Sequence, residues 1–265
     1  MTVTMASNIA SREMGYLAGA DEERLRTLND AIRSPDFDAL LFARGGYGAM
    51  RILNGVDYEA ISRNPRPIIG YSDLTALHQA TAARSGVGSF HGPMLNTDFH
   101  DGLSPSIENW FWDVLSGSVP TWSLQPDQVM AGGAAEGVLF GGCLSLTTSL
   151  TGTPFDFWIE DGIWFWEDVS ESTYRIDRML THLHLSGRLR NLKGVMIGRL
   201  KDCGGGNPDE LDRLLSSFFS GAGIPVLHNL PFGHHGDNLL LPIGGRVRIS
   251  SEDLTFSLLE PAVNT

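Results

Sequence analysis

The chain has 265 residues, 42% of them hydrophobic, enough to build one large domain or two smaller ones. Its formal net charge is −12, so nucleic acid and anionic membrane surfaces are excluded as partners by overall repulsion of phosphate, although a local basic pocket for a carboxylate is not. Only two cysteines are present, Cys143 and Cys203; they fit a reducing compartment and provide neither a metal cluster nor a disulfide framework.

The N-terminal stretch "MTVTMASNIASREMGYLAGADEERL" lacks a basic segment followed by an apolar one, so no signal peptide is expected. No uninterrupted apolar run is long enough to span a bilayer. The expected location is the cytoplasm.

Residues 21–34 carry Leu25, Leu28 and Ile32 at helical spacing, with Asp21 as the expected cap. "DALLFA", 38–43, is a short apolar run followed by a turn signal and predicts a buried strand. "RGGYGAMRILN" predicts a glycine turn opening a helix, "RPIIGYS" a strand, and 73–84 a helix. "VGSFHGP" predicts a further short strand and 106–117 another helix. Strand and helix alternate, so the fold class is α/β, with a mostly parallel sheet and its site at the strand C-terminal ends.

The texture changes near residue 118. "SVPTWSLQPDQVMAGGAAEGVLFGG" is rich in Gly and Pro and reads as a linker followed by strands. Then come "GIWFWED" (strand), "STYRIDRMLTHLHLSG" (helix), "LKGVMIGRL" (strand) and "NPDELDRLLSSFF" (helix), the last with Asn207 as cap and Pro208 at its first position. Short strands and turns close the chain. The expected division is 1–118, an α/β domain; 119–135, a linker; and 136–265, a β-rich α+β domain.

Ser72 stands between the strand "PIIGY" and a helix. Two readings are open: a helix N-cap, or a nucleophile on a sharp strand-to-helix turn. The elbow pattern G-x-S-x-G is only partly met, because Leu74 occupies the fifth position. A nucleophilic serine needs a base, and the base an orienting acid. "FWEDVSE" offers Glu167 and Asp168 after an aromatic strand, and "PFGHHGDN" offers His234 and His235 in a glycine-rich turn. The order serine, acid, histidine is that of α/β hydrolases. The alternatives are that Glu167 caps the following helix and that the histidines are solvated.

"RGGYG", 44–48, fails the dinucleotide pattern at Arg51. As a glycine turn at a strand end, its free amides can bind an anion or a developing oxyanion, and Gly45 and Gly46 allow close backbone approach. No metal signature is present. His182 and His184 lie two apart on an expected helix and face different sides.

Jointly, "GYLAGADEERL", "ARGGYGAMRIL", "IIGYSDLTALH", "FHGPM", "FGGCLSLTTSLTGTP", "WFWEDVSESTYRIDRMLTHL", "GVMIGRL" and "LPFGHHGDNLLLPIG" resemble the LD-carboxypeptidases, a serine peptidase family that also contains microcin C immunity hydrolases. The resemblance implies an N-terminal α/β domain carrying the nucleophile and a C-terminal domain carrying acid and base. It implies Ser72 as nucleophile, Glu167 as orienting acid, His234 as general base, and the amides of Gly46 and Asp73 as oxyanion hole. It implies hydrolysis of the bond before the terminal D-Ala of a muropeptide tetrapeptide, in cytoplasmic murein recycling, by a homodimer that needs no cofactor. Gly45, Arg44 and Arg175 are the expected substrate contacts, the arginines for the terminal carboxylate; the alternative for both is a structural ion pair.

The segment "EDVSESTYRIDRML" resembles the carboxypeptidase branch. The other readings are a hydrolase of a peptidyl-adenylate toxin and a truncated, inactive homologue. The last is raised because family members usually carry a strand and helix ahead of the "GYLAG" stretch. Two further departures are Cys143, where the family often has Asn, and Ser170, where Gly is common.

Overall fold

The computed structural model describes residues 2–9 and 11–263. The fold is mixed α/β, with two sheets and flanking helices. The first helix, α1 (Asp21–Arg33), turns Ile32 inward. Ala20, not Asp21, is its N-cap; the Asp21 carboxylate instead pairs with Arg24 and Arg51. Arg24, one turn on, is where a first-turn carboxylate reaches, and Arg51 comes in from the next helix.

Strand β1 (Leu40–Leu41) follows, then the glycine turn and the short helix α2 (Ala49–Ile52). Helix α3 (Tyr58–Arg63) is capped by Asp57, whose carboxylate accepts the Ala60 amide at 2.9 Å. Strand β2 (Ile68–Gly70) leads through a 3-10 turn at 72–74 into α4 (Thr75–Ser85), and β3 (Ser89–His91) precedes α5 (Pro105–Leu115). Eight of the eleven residues of α4 are buried, which explains why no amphipathic stripe marks it.

The second half supplies β4 (Thr121–Ser123), β5 (Val129–Ala131), the ten-residue β6 (Ala134–Cys143), α6 (Leu144–Leu150), β7 (Ile163–Glu167), α7 (Thr173–Leu185), β8 (Gly194–Gly198), α8 (Pro208–Phe219), β9 (Val226–Leu230), β10 (Leu241–Ile243), β11 (Arg246–Ser250) and β12 (Thr255–Leu258). Asn207 caps α8 through the Glu210 amide, as expected.

Strands pair as β1-β2-β3-β10 in one sheet and β4-β12-β11-β6-β7-β8-β9-β5 in the other. The first three strands are parallel, and β10 is antiparallel to β3. The centre of the second sheet, β6 to β9, is parallel; its flanks are antiparallel. The segment 119–135, expected as a linker, therefore carries β4 and β5, each paired into the second sheet. The glycines and prolines there mark the turns between these strands rather than an untethered connection. Likewise β10, though late in the chain, belongs to the first sheet.

That exchange ties the sheets together. Residues 231–240 run from β9 in one sheet to β10 in the other. The Pro231 carbonyl accepts the Leu239 amide at 2.8 Å and closes the base of this loop. Trp110 on α5 donates from Nε1 to the Leu240 carbonyl at 2.8 Å. Its indole packs against Trp122 and Phe256. Among the described residues, no helix is long and apolar enough to cross a membrane.

Replacing Trp110 with Phe keeps the ring but leaves the buried Leu240 carbonyl without its donor. The expected cost is about 1–3 kcal/mol, read as a lowered urea midpoint at unchanged slope.

Candidate active site

Three strand ends and one loop build the site. β2 ends at Gly70 and delivers Ser72; β7 ends on Glu167; the β1 end opens into the glycine turn; and the 231–240 loop brings His234. Ser72 has φ 64°, a left-handed conformation unusual for a side-chain-bearing residue. Such a turn is the strained elbow that lifts a hydroxyl above a sheet. Ser72 caps nothing: helix α4 has Leu74 as its N-cap, without a side-chain bond.

The Ser72 hydroxyl lies 2.9 Å from His234 Nε2, and His234 Nδ1 lies 2.7 Å from Glu167 Oε2. A carboxylate only accepts, so Nδ1–H donates to Glu167 and Nε2 is left to accept the serine proton. Glu167 is fully buried. It does not cap the helix after it, as its neighbour does for another helix: Asp168 accepts the Ser145 amide at 2.8 Å at the start of α6 and the Val169 amide at 2.9 Å. Burial pushes the Asp168 carboxyl up, against the pull of those amides.

Burial lowers the His234 pKa, but the hydrogen bond and charge of Glu167, with the charge of Asp168, outweigh it. The net direction is upward from 6.5. Tyr71 holds the imidazole from one side, ring edge to face at 5.0 Å between centroids. Gly233 allows His234 to sit so near the acid. A methyl group on Gly233 would meet Glu167 Oε2 at 2.6 Å, and its φ of 104° disfavours any side chain. The Gly233 amide donates to Asn238 Oδ1 at 3.0 Å, and Asn238 is fully buried.

The glycine turn lies beside the hydroxyl. A methyl group on Gly45 would approach Ser72 Cβ to 2.8 Å and Oγ to 3.1 Å. Among the described residues, the amides of Gly46 and Asp73 donate no backbone hydrogen bond. They are the free donors expected of an oxyanion hole.

The two arginines differ. Arg175 pairs with Glu171 at 3.5 Å on the exposed start of α7. Arg44 makes no ion pair among the described residues, and its guanidinium lies back over the turn, 3.7 Å from where a Gly46 Cβ would be. His235 points away from the triad, with Nδ1 2.9 Å from Arg199 Nη1. Sequence reasoning missed Arg199, Asn238, Tyr71 and the buried His91. His91 packs on Tyr71, Phe165 and Phe232, and burial drives its pKa well below 6.5. Only Asn238, four residues past His234 in a turn-rich stretch, had a local signal.

Residues 1–92 match the family model described as the LD-carboxypeptidase N-terminal domain, and residues 136–249 match the LD-carboxypeptidase C-terminal domain. The chain is 35% identical to a probable murein peptide carboxypeptidase of Bacillus subtilis (strain 168), over 94% of this chain and 80% of that protein. It is 29% identical to the microcin C7 self-immunity protein MccF of Escherichia coli, over 94% of this chain and 82% of that one. A structure of MccF with glutamyl sulfamoyl guanosine superposes with a TM-score of 0.88 at 25% identity, covering 97% and 86% of the two chains. The muramoyltetrapeptide carboxypeptidase of Oxalobacter formigenes superposes with a TM-score of 0.82 at 33% identity, covering 94% and 87%.

A base with a raised pKa must shed its proton before it can work. The acid limb of a kcat/KM profile for ester or peptide hydrolysis is therefore expected above pH 6.5. Glu167→Gln removes the group that raises it, so the limb moves to lower pH and the plateau falls by orders of magnitude, about 10⁴-fold by the precedent of other triads. Gly233→Ala, which forces the acid and base apart, is expected to abolish reaction of Ser72 with a fluorophosphonate probe.

Proposed function

The chain belongs to the LD-carboxypeptidase family, and from that premise we propose that it is a serine carboxypeptidase that removes the terminal D-Ala of a murein tetrapeptide. The observation that carries this reading is the continuous hydrogen-bonded row Ser72–His234–Glu167 beside a glycine turn with free amides. The relatives named murein carboxypeptidases support the substrate class. The family models that match 1–92 and 136–249 support reading 1–118 and 136–265 as the nucleophile domain and the acid–base domain, joined through 119–135. A role in cytoplasmic recycling of wall peptides follows from the same reading.

Ser72 Oγ attacks the carbonyl carbon before D-Ala while His234 Nε2 takes its proton. The C=O becomes a tetrahedral oxyanion, which the amides of Gly46 and Asp73 receive. Glu167 fixes the imidazole tautomer and stabilises the imidazolium. When the C–N bond breaks, His234 returns the proton to the departing amine, and D-Ala leaves. Water then adds to the acyl-enzyme, again losing a proton to His234, and Ser72 is regenerated. Each step keeps the charge between Glu167 and the oxyanion donors.

An exopeptidase must also read the free carboxylate of the leaving residue. Arg44 is suited to this, because it overhangs the oxyanion turn and carries no acidic partner among the described residues. Arg175 is not, because Glu171 already holds it.

The test is release of D-Ala from a murein tetrapeptide by the purified protein. Ser72→Ala is expected to release none. Arg44→Ala is expected to lower kcat/KM by about 10-fold or more, the loss of a charge-assisted contact worth about 1.5–3 kcal/mol, and Arg175→Ala to leave it unchanged. Cleavage of a peptidyl-adenylate without D-Ala release would replace the substrate reading by a toxin-hydrolase one and leave the triad in place.

A further inference from the structure

The residue after the nucleophile carries a carboxylate that the triad does not use. Asp73 is 7% exposed. Its Oδ2 accepts the Ala49 amide at 2.8 Å. Burial raises its pKa, while the backbone amides at 48–49 and the charge of Arg24 oppose the rise. Ala49 is the first residue of α2, directly after the glycine turn.

The other side of that turn is also held. Arg24 Nη1 donates to the Gly48 carbonyl at 3.1 Å, and its Nη2 is anchored on Asp21. Residues 48–49 are thus gripped from α1 by Arg24 and from the nucleophile turn by Asp73.

This grip matters because the two oxyanion donors come from different segments. The Gly46 amide follows β1; the Asp73 amide follows β2. Both must lie about 2.7–3.1 Å from one oxygen position. Yet β1 and β2 are in register over only two residues, Leu40–Ile68 and Leu41–Ile69. Among the described residues, the hydrogen bond from the Ala49 amide to the Asp73 side chain is what joins the turn at 44–49 to the turn at 71–75. We propose that Asp73 is a positioning residue whose carboxylate fastens the glycine turn to the nucleophile turn, so that the amides of Gly46 and Asp73 converge on one oxyanion. This rests on the hydrolase reading above and extends it.

One residue then has two parts. Its amide faces the oxyanion, and its side chain holds the opposite donor at the matching distance. Loss of the side chain leaves the row Ser72–His234–Glu167 intact and lets the Gly46 amide drift. The ground-state carbonyl is little affected; the tetrahedral species loses a donor. The signature is a fall in kcat with KM nearly constant.

The experiment compares Asp73→Ala, Asp73→Asn and Asp73→Leu with the native protein in three measurements: kcat and KM for D-Ala release, the rate of Ser72 labelling by a fluorophosphonate, and the thermal melt. Asp73→Ala is expected to lower kcat by about 10–100-fold, below the full loss of one oxyanion donor, with KM changed by less than about threefold. Labelling is expected to slow by a similar factor, since the phosphonyl oxygen uses the same donors. Asp73→Asn keeps an accepting oxygen and is expected to recover to within about fivefold of the native rate. If the alanine variant does not melt cooperatively, the folded leucine variant, which keeps volume without an acceptor, is expected to show the same kcat loss. A folded alanine or leucine variant with native kcat and labelling rate would overturn the proposal, as would an asparagine variant as slow as the alanine one. Native protein that is labelled at Ser72 but releases no D-Ala would overturn the substrate reading alone, and the labelling rates would still decide the role of Asp73.

Discussion

The antiparallel pairing of β10 with β3 is the constraint on which the site depends. Without it, the 231–240 loop would belong wholly to the second sheet and His234 would have no reason to stand over Ser72. With it, the loop must cross from one sheet to the other. Glu167 ends a strand of the second sheet, Ser72 follows a strand of the first, and His234 sits on the crossing between them. The base of the crossing is closed by the Pro231–Leu239 bond and held by Trp110. An entropic cost paid once, in forming a long-range sheet contact, places three residues separated by more than half the chain.

Strain and close contact accompany this placement. A left-handed backbone at a residue such as Ser72 costs about 1–3 kcal/mol. It persists because β2 and α4, both buried, leave the turn no other path. Gly45 and Gly233 are two points in the site where a side chain could not fit, one against the hydroxyl and one against the acid. The electrostatics follow from the same crowding. A buried carboxylate beside a half-buried imidazole raises the base, while His91, farther inside and without a charged partner, is driven toward the neutral form. Tyr71, Phe165 and Phe232 pack around His91, and Tyr71 also contacts His234.

Much of the fold was legible along the chain. The helices α1, α5, α7 and α8 lie where the sequence predicts them, because each has one apolar face and a polar one, and α8 also keeps its expected Asn207 cap. The parallel strands β2, β7 and β8 lie where short apolar runs predicted them. What local reading missed was set by contacts from elsewhere. Asp21 abandons the cap for two arginines. Short α3 and α6 carry too few residues to show a period, and α6 takes its N-terminal acceptor from Asp168, more than twenty residues on. The Gly/Pro-rich stretch 119–135 reads as a link because its strands are only three residues long and their partners lie in β9 and β12.

The sequence by itself supplied the candidates: a serine on a strand-to-helix turn, an acid after an aromatic strand and a histidine in a glycine turn, in hydrolase order. Motif and family resemblance are one-dimensional, and these residues keep their order along the chain whatever the fold. Only the tertiary structure brings Ser72, His234 and Glu167 into one hydrogen-bonded row, and it leaves Asp168 on the Ser145 amide, His235 beside Arg199 and Arg175 on Glu171. Apart from the local Arg175–Glu171 pair, each of these contacts rests on a distance between segments far apart in sequence. Local propensity carries no information about such distances; the pairing of β10 with β3 sets them.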